Sequence, residues 1–264
     1  MLFRYNIEGG RRPLVLLHGD AGVLPYHRGR LLAEFLGPDQ PIYAIEAPGF
    51  DGTRLPCTSI HEAAREYLGD LRRAGLTGPL SVAGVCGGSL VAFQVAQQLA
   101  AEAQFAGERP RAELLLMIDP PGLPGAGVRE EKFRPEVIDL LREQAKTWLL
   151  SLVERKEEGP VDLHDPAELE RAIEIGALVQ ISISRYFAAA YPGRVEVLAI
   201  EKRADMIRRP NWPWRNILTG TWNLTAIPCE HTDLFAAQRQ TVFGWIARRL
   251  EGAPSEARLE IGGS

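Results

Sequence analysis

The stretch SVAGVCGGSLVAF (residues 81–93) decides how the chain is read. Up to Val85 it is an apolar run of strand length. From Ser89 it begins a helical pattern whose apolar face includes Leu90, Val91, Val95 and Leu99. Between the two, Gly84, Gly87 and Gly88 surround Cys86 in the order G-x-C-x-G. The usual form of this turn is G-x-S-x-G, in which a strand reverses into a helix and displays a nucleophile at the top of a parallel sheet. Glycines permit the strained backbone and the close approach that such a reversal demands. A thiol at a helix amino terminus sits where the dipole favours an anion, which raises its thiolate fraction. The N–H of Gly87 would donate to a tetrahedral oxyanion. The plain alternative makes Cys86 a small apolar residue in a glycine-rich turn. Ser89 is a rival nucleophile, but one turn into the helix its spacing does not suit the elbow, so a packing or capping role is expected.

Outward from this turn, short apolar runs alternate with helical patterns. PLVLLH (13–18), PIYAIEA (41–47) and AELLLMIDPP (112–121) have strand length; HRGRLLAEFL (27–36) and SIHEAAREYLGDLRRAG (59–75) have helical spacing, with Ser59 as the expected cap of the second. Continuous apolar strands alternating with helices imply a mostly parallel sheet covered on both faces, an α/β fold. Residues 122–191 carry only helical patterns separated by Pro and Gly and are expected to form an insertion over the carboxyl edge of the sheet. RVEVLAI (194–200) and WNLTAIP (222–228) resume the strand pattern, and TDLFAAQRQTVFGWIARRLE (232–251) reads as the closing helix. The expected division is a core of 1–121 with 192–251, an insertion of 122–191 and a loose tail of 252–264.

With 264 residues, 45% hydrophobic and 24% charged, the chain can bury one large core. A net charge of −4 and isolated rather than clustered basic pairs argue against a nucleic-acid surface. No apolar run approaches the roughly 18 residues of a membrane helix, and the first residues lack a signal peptide's apolar segment, so a cytoplasmic protein is expected. Cys57, Cys86 and Cys229 are too few and scattered for a disulfide framework and lack zinc-site spacing, so no metal is expected.

A nucleophile at this turn needs a base and an orienting acid, in the chain order nucleophile, acid, histidine. Of five histidines, only His231, in IPCEHTDLF, follows the last expected strand and precedes the last helix. His164 lies in the insertion, His27 and His61 lie in or near helices, and His18 ends the first strand, where it would shape the loop. Two aspartates suit the acid. Asp119 ends the strand LLLMIDPP, and Asp205 follows a later strand in AIEKRADM. Glu230, beside His231, would point away from it along an extended chain.

The pieces PLVLLHGDAG, GPDQPIYAIEAPGFDG, GVCGGSLVAFQVAQQL, LLLMIDPP and PCEHTDLF together resemble the thioesterase domains of nonribosomal peptide and polyketide synthases, within the α/β-hydrolase fold. The resemblance is continuous over 13–121 and resumes near 214–235. It implies an α/β-hydrolase fold with a helical lid, and it places nucleophile, acid and base at Cys86, Asp119 and His231, with Asp205 the alternative acid. It adds a second oxyanion donor in HGDAG, from the N–H of Asp20 or Ala21. Where the family usually has serine, this chain has Cys86.

The resemblance further implies an enzyme that releases an acyl, peptidyl or polyketide thioester from a carrier protein through an acyl-cysteine, by cyclisation to a lactone or lactam or by hydrolysis. It implies no bound cofactor, since the substrate itself rides on the carrier's phosphopantetheine. The expected partners are the carrier protein and the acyl thioester, with neither nucleic acid nor membrane. Two other readings share the motif. A dienelactone-hydrolase-like enzyme would also use G-x-C-x-G, with its acid nearer Asp205 and no long lid. A non-catalytic relative would bind an acyl carrier or hydrophobic ligand at an elbow that had lost its function.

Overall fold

The computed structural model describes residues 1–19, 25–108, 111–123, 135–155, 157 and 161–252. The strands are β1 (Leu2–Tyr5), β2 (Leu14–Leu17), β3 (Ile42–Ile45), β4 (Leu80–Val85), β5 (Ala112–Ile118), β6 (Val195–Ile200) and β7 (Trp222–Ile227), and they lie in the order β1-β3-β2-β4-β5-β6-β7. Every pairing is parallel except β1 with β3. The helices are α1 (Pro25–Leu36), α2 (Ile60–Arg73), α3 (Gly88–Ala106), α4 (Pro135–Glu154), α5 (Pro166–Ser184), α6 (Glu201–Arg208) and α7 (Arg239–Leu250). This is the mostly parallel α/β architecture expected from the alternation of apolar runs.

The strands are apolar throughout because both faces of the sheet are buried. Successive side chains point to opposite faces. On β5, Leu115 and Met117 join the core beneath α2 and α3, whereas Leu114, Leu116 and Ile118 join the core beneath α1 and α7. The same division separates Val15 and Leu17 from Leu14 and Leu16 on β2. A third cluster brings Leu149 and Leu152 of α4 and Ala172, Ile173 and Ile175 of α5 together with Ala47 and Phe50, just past the carboxyl end of β3. The helical pair between β5 and β6 is thereby seated on the sheet's carboxyl edge, and Arg171 of α5 donates to the Phe50 carbonyl at 3.2 Å.

Three features depart from the sequence expectations. Strand β1 is four residues long and lies at the sheet's edge, too short for alternation to reveal it. Helix α6 buries only Ala204 and Ile207 in its highly charged sequence, so no apolar stripe announces it. The closing helix begins at Arg239 rather than near Thr232. In between, His231–Asp233 forms a 3₁₀ turn in which the Asp233 carboxylate accepts from the Glu230 N–H at 3.4 Å and the Asp233 carbonyl accepts from the Gln238 N–H at 2.8 Å. Such side-chain-to-backbone bonds compete with a regular helix. The expected tail of 252–264 lies, after Gly252, outside the described residues.

Candidate active site

Cys86 stands between β4 and α3 with a φ of +50°, a left-handed conformation that costs an L-residue about 1–2 kcal/mol. The turn is tied to the sheet by the Cys86 N–H, which donates to the Ile118 carbonyl at 2.8 Å, and to the helix by the Ser89 N–H, which donates to the Cys86 carbonyl at 2.9 Å. The flanking glycines are required by space. A Cβ on Gly84 would lie 2.1 Å from the Gly88 carbonyl oxygen, and a Cβ on Gly88 would lie 1.7 Å from that of His18. Ser89 is fully buried and donates its hydroxyl to the Gly84 carbonyl at 2.9 Å. It braces the turn from beneath.

Asp119 follows β5, is completely buried and also has a positive φ, +48°. Its Oδ2 lies 2.6 Å from Nδ1 of His231. A carboxylate can only accept, so in the neutral imidazole Nδ1 carries the proton and the lone pair is left to Nε2. The other oxygen, Oδ1, accepts from the Ile200 N–H at 3.1 Å and lies 3.1 Å from Nε of Arg203. Arg203 also donates to the Pro120 carbonyl at 3.1 Å. Both oxygens of the buried carboxylate are therefore satisfied, and its orientation is fixed from two sides. Arg203 is the residue that sequence reasoning missed: it sits in the first turn of α6, the helix with no apolar stripe. Asp205, on the same helix, is exposed and pairs with Arg208 at 2.7 Å. Glu230 caps the turn that begins with His231.

Cys86 and His231 line one cavity of about 790 Å³, within the range of small-molecule sites. Gly19, Val85, Leu234 and Phe235 line it from the core, and α4 lines it largely with residues spaced three and four apart. Leu140, Glu143, Gln144, Ala145, Thr147, Trp148 and Ser151 of α4 line the cavity, as does Arg155 just past its end, while Leu149 and Leu152 of the same helix turn into the third core cluster. Asp20 and Ala21 lie outside the described residues; Gly87 is the amino-terminal cap of α3, immediately after Cys86.

The remaining histidines and cysteines have other settings. His18 is buried, its Nδ1 2.8 Å from the Gly19 carbonyl and its Nε2 2.7 Å from the Tyr67 hydroxyl. Burial pushes its pKa down to about 4, so it is neutral and holds the loop rather than moving protons. His61 packs on the Tyr186 ring, and the His164 N–H donates to Asp162. Burial pushes the Cys57 thiol up to about 12 and raises that of Cys229. Among the described residues no group of His, Cys, Asp and Glu is arranged to hold a metal ion, and no helix is long and apolar enough to cross a membrane.

Residues 12–250 match the model of a family described as the thioesterase domain. Among curated proteins, atromentin synthetase greA of Suillus grevillei is 28% identical over 273 aligned residues, covering 93% of this chain and 28% of that protein. Aspulvinone E synthetase melA of Aspergillus terreus is 40% identical over 93 residues, 35% of this chain. That match spans 10% of the synthetase, so the chain corresponds to a small part of such proteins. Among solved structures, the NocB thioesterase domain in covalent complex with a fluorophosphonate nocardicin G analog superimposes with a TM-score of 0.70 at 25% identity, covering 96% of this chain and all of that one. The type II thioesterase BorB of the borrelidin cluster shares the fold, with a TM-score of 0.65 at 20% identity over 91% of this chain and 93% of its own.

Proposed function

Because the chain belongs to the thioesterase-domain family, we propose that it releases a carrier-bound acyl thioester through an acyl-cysteine on Cys86, with His231 as base and then acid and Asp119 as its orienting carboxylate. The observation that carries this reading is the 2.6 Å pair of His231 and the buried Asp119, set beside a cavity that Cys86 also lines. Nε2 of His231 takes the thiol proton as sulfur attacks the thioester carbonyl. The oxyanion is received by the N–H of Gly87 and by that of Asp20 or Ala21. Collapse expels the thiol of the phosphopantetheine arm, which leaves with the proton from His231. Water, or a hydroxyl or amine of the acyl chain itself, then attacks the acyl-Cys86, gives its proton to Nε2, and is released as acid, lactone or lactam while Cys86 regains its hydrogen.

Sulfur suits a demanding second step. Exchange of one thioester for another is nearly isoenergetic, so an acyl-cysteine keeps activation that a seryl ester would have lost. This favours ring closure or aminolysis over hydrolysis. The cavity mixes apolar lining from Leu140, Ala145, Trp148 and Phe235 with the amides and hydroxyls of Gln144, Thr147, Ser151 and Gln180, which suits an acyl group that carries both apolar and hydrogen-bonding parts. The dienelactone-hydrolase-like reading has less support, because Asp205 is engaged by Arg208 at the surface. Turnover of a thioester mimic should be lost in Asp119→Asn and kept in Asp205→Asn. The reverse pattern would overturn the assignment. Cys86→Ser should shift the ratio of cyclic to hydrolysed product; an unchanged ratio at similar rate would remove the special role of sulfur.

A further inference from the structure

A second cavity, of about 420 Å³, shares Arg28, Arg155, Glu157 and Phe235 with the first. The two cavities therefore adjoin at these four side chains. The annex differs from the reaction chamber in charge. Its described lining holds three guanidiniums, of Arg28, Arg155 and Arg239, and one carboxylate, of Glu157, which is already engaged by Arg155 Nε at 2.9 Å. The Arg28 guanidinium lies over the Phe235 ring, its Cζ 4.2 Å from the centroid, and both residues line both cavities. Arg239 is the first residue of α7, a helix with no acidic residue in its first turn and no side-chain cap. The partial positive charge of that helix end adds to the guanidinium's own. His27 registers the resulting field: burial lowers its pKa, Glu157 pulls the other way, and the positive charges of Arg30, Arg28 and Arg239 lower it further.

We infer that the annex is an anion subsite that receives the phosphate of the carrier protein's phosphopantetheine arm, with Arg239 and Arg155 as its donors and Arg28 at the threshold of the chamber. The inference rests on the thioester-releasing reading of Cys86, since that reading supplies an arm with sulfur at one end and phosphate at the other. Planar guanidiniums match phosphate oxygens in bidentate geometry. A phosphate seated in the annex leaves the arm to pass Phe235 and present its thioester in the chamber where Cys86 and His231 lie.

The test is calorimetric binding of two probes that differ only by phosphate, 4′-phosphopantetheine and pantetheine, to the wild-type chain and to Arg239→Gln. Arg155→Gln serves as a second variant if the first does not fold. Phosphopantetheine should bind the wild type about tenfold more tightly than pantetheine, and each variant should lose most of that advantage. Equal binding of the two probes by the wild type, or an advantage that survives both substitutions, would overturn the inference. A holo carrier protein and coenzyme A separate the two sources of a phosphorylated arm. A loss of affinity in Arg239→Gln for the carrier supports the assignment, and a loss confined to coenzyme A contradicts it. Failure of the thioesterase reading would appear elsewhere, as the absence of an acyl-enzyme with any thioester, and the phosphate readout does not depend on it.

Discussion

Arg203 lies 3.1 Å from Oδ1 of Asp119, on the carboxylate edge opposite the one that faces His231. Arg203 is not among the described residues that line the cavity. Its influence on turnover must pass through the carboxylate. Arg203→Gln should lower kcat about tenfold or more through misorientation of the imidazole, with little change in KM. Arg203→Lys should recover part of the loss, because a single charged donor restores the ion pair but not the second bond to the Pro120 carbonyl. A rise in KM at constant kcat would show that Arg203 contacts substrate instead.

The elbow glycines set a steric limit that does not depend on catalysis. In Gly88→Ala the new Cβ would meet the His18 carbonyl oxygen at 1.7 Å, and in Gly84→Ala the Gly88 carbonyl oxygen at 2.1 Å. Backbone on both sides must move, so each change should cost about 3 kcal/mol or more, measurable by urea denaturation. A chain of normal stability carrying either alanine would contradict the tight turn.

Backbone strain at Cys86 separates stability from activity. With φ at +50°, Cys86→Gly should be about 1 kcal/mol more stable than Cys86→Ala, since glycine enters the left-handed region without a Cβ penalty. The proposed chemistry requires both variants to be inactive. Equal melting temperatures for the two would argue against the strained elbow.

His18 predicts a pH dependence of stability. Its folded pKa is about 4 and its ordinary value 6.5. A depressed histidine pKa means that the unfolded chain binds the proton more readily, so the contribution is complete above 6.5 and is lost as pH falls toward 4. Between pH 7 and pH 5 this amounts to about 2 kcal/mol. The wild type should therefore lose more stability over that interval than His18→Gln, in parallel thermal melts. Identical pH slopes would show that His18 titrates normally in the fold.

Much of this architecture was legible in the sequence, because sheet and elbow rest on local rules. Runs such as LVLL and LLLMI are apolar since both faces of β2 and β5 are covered, and the G-x-C-x-G spacing follows from a reversal that leaves no room for a Cβ at either end. Arg203 was not legible. Its role depends on α6, whose two buried residues give no periodic signal, and on the approach of β6 to β5. The start of α7 was misjudged because Asp233 bonds to the backbone of its own turn. The positive annex was equally hidden, since Arg28, Arg155 and Arg239 lie far apart in sequence and meet only when α1, α4 and α7 have packed.

The central claim is that Cys86 carries the acyl group. It is tested most directly by intact-protein mass after incubation with a slowly released acyl thioester mimic, followed by peptide mapping. One acyl group should appear on Cys86, not on Cys57 or Cys229, whose thiols burial holds protonated, and it should fail to form in His231→Ala. No adduct in the wild type, or an adduct on Cys86 that forms equally well without His231, would contradict the account.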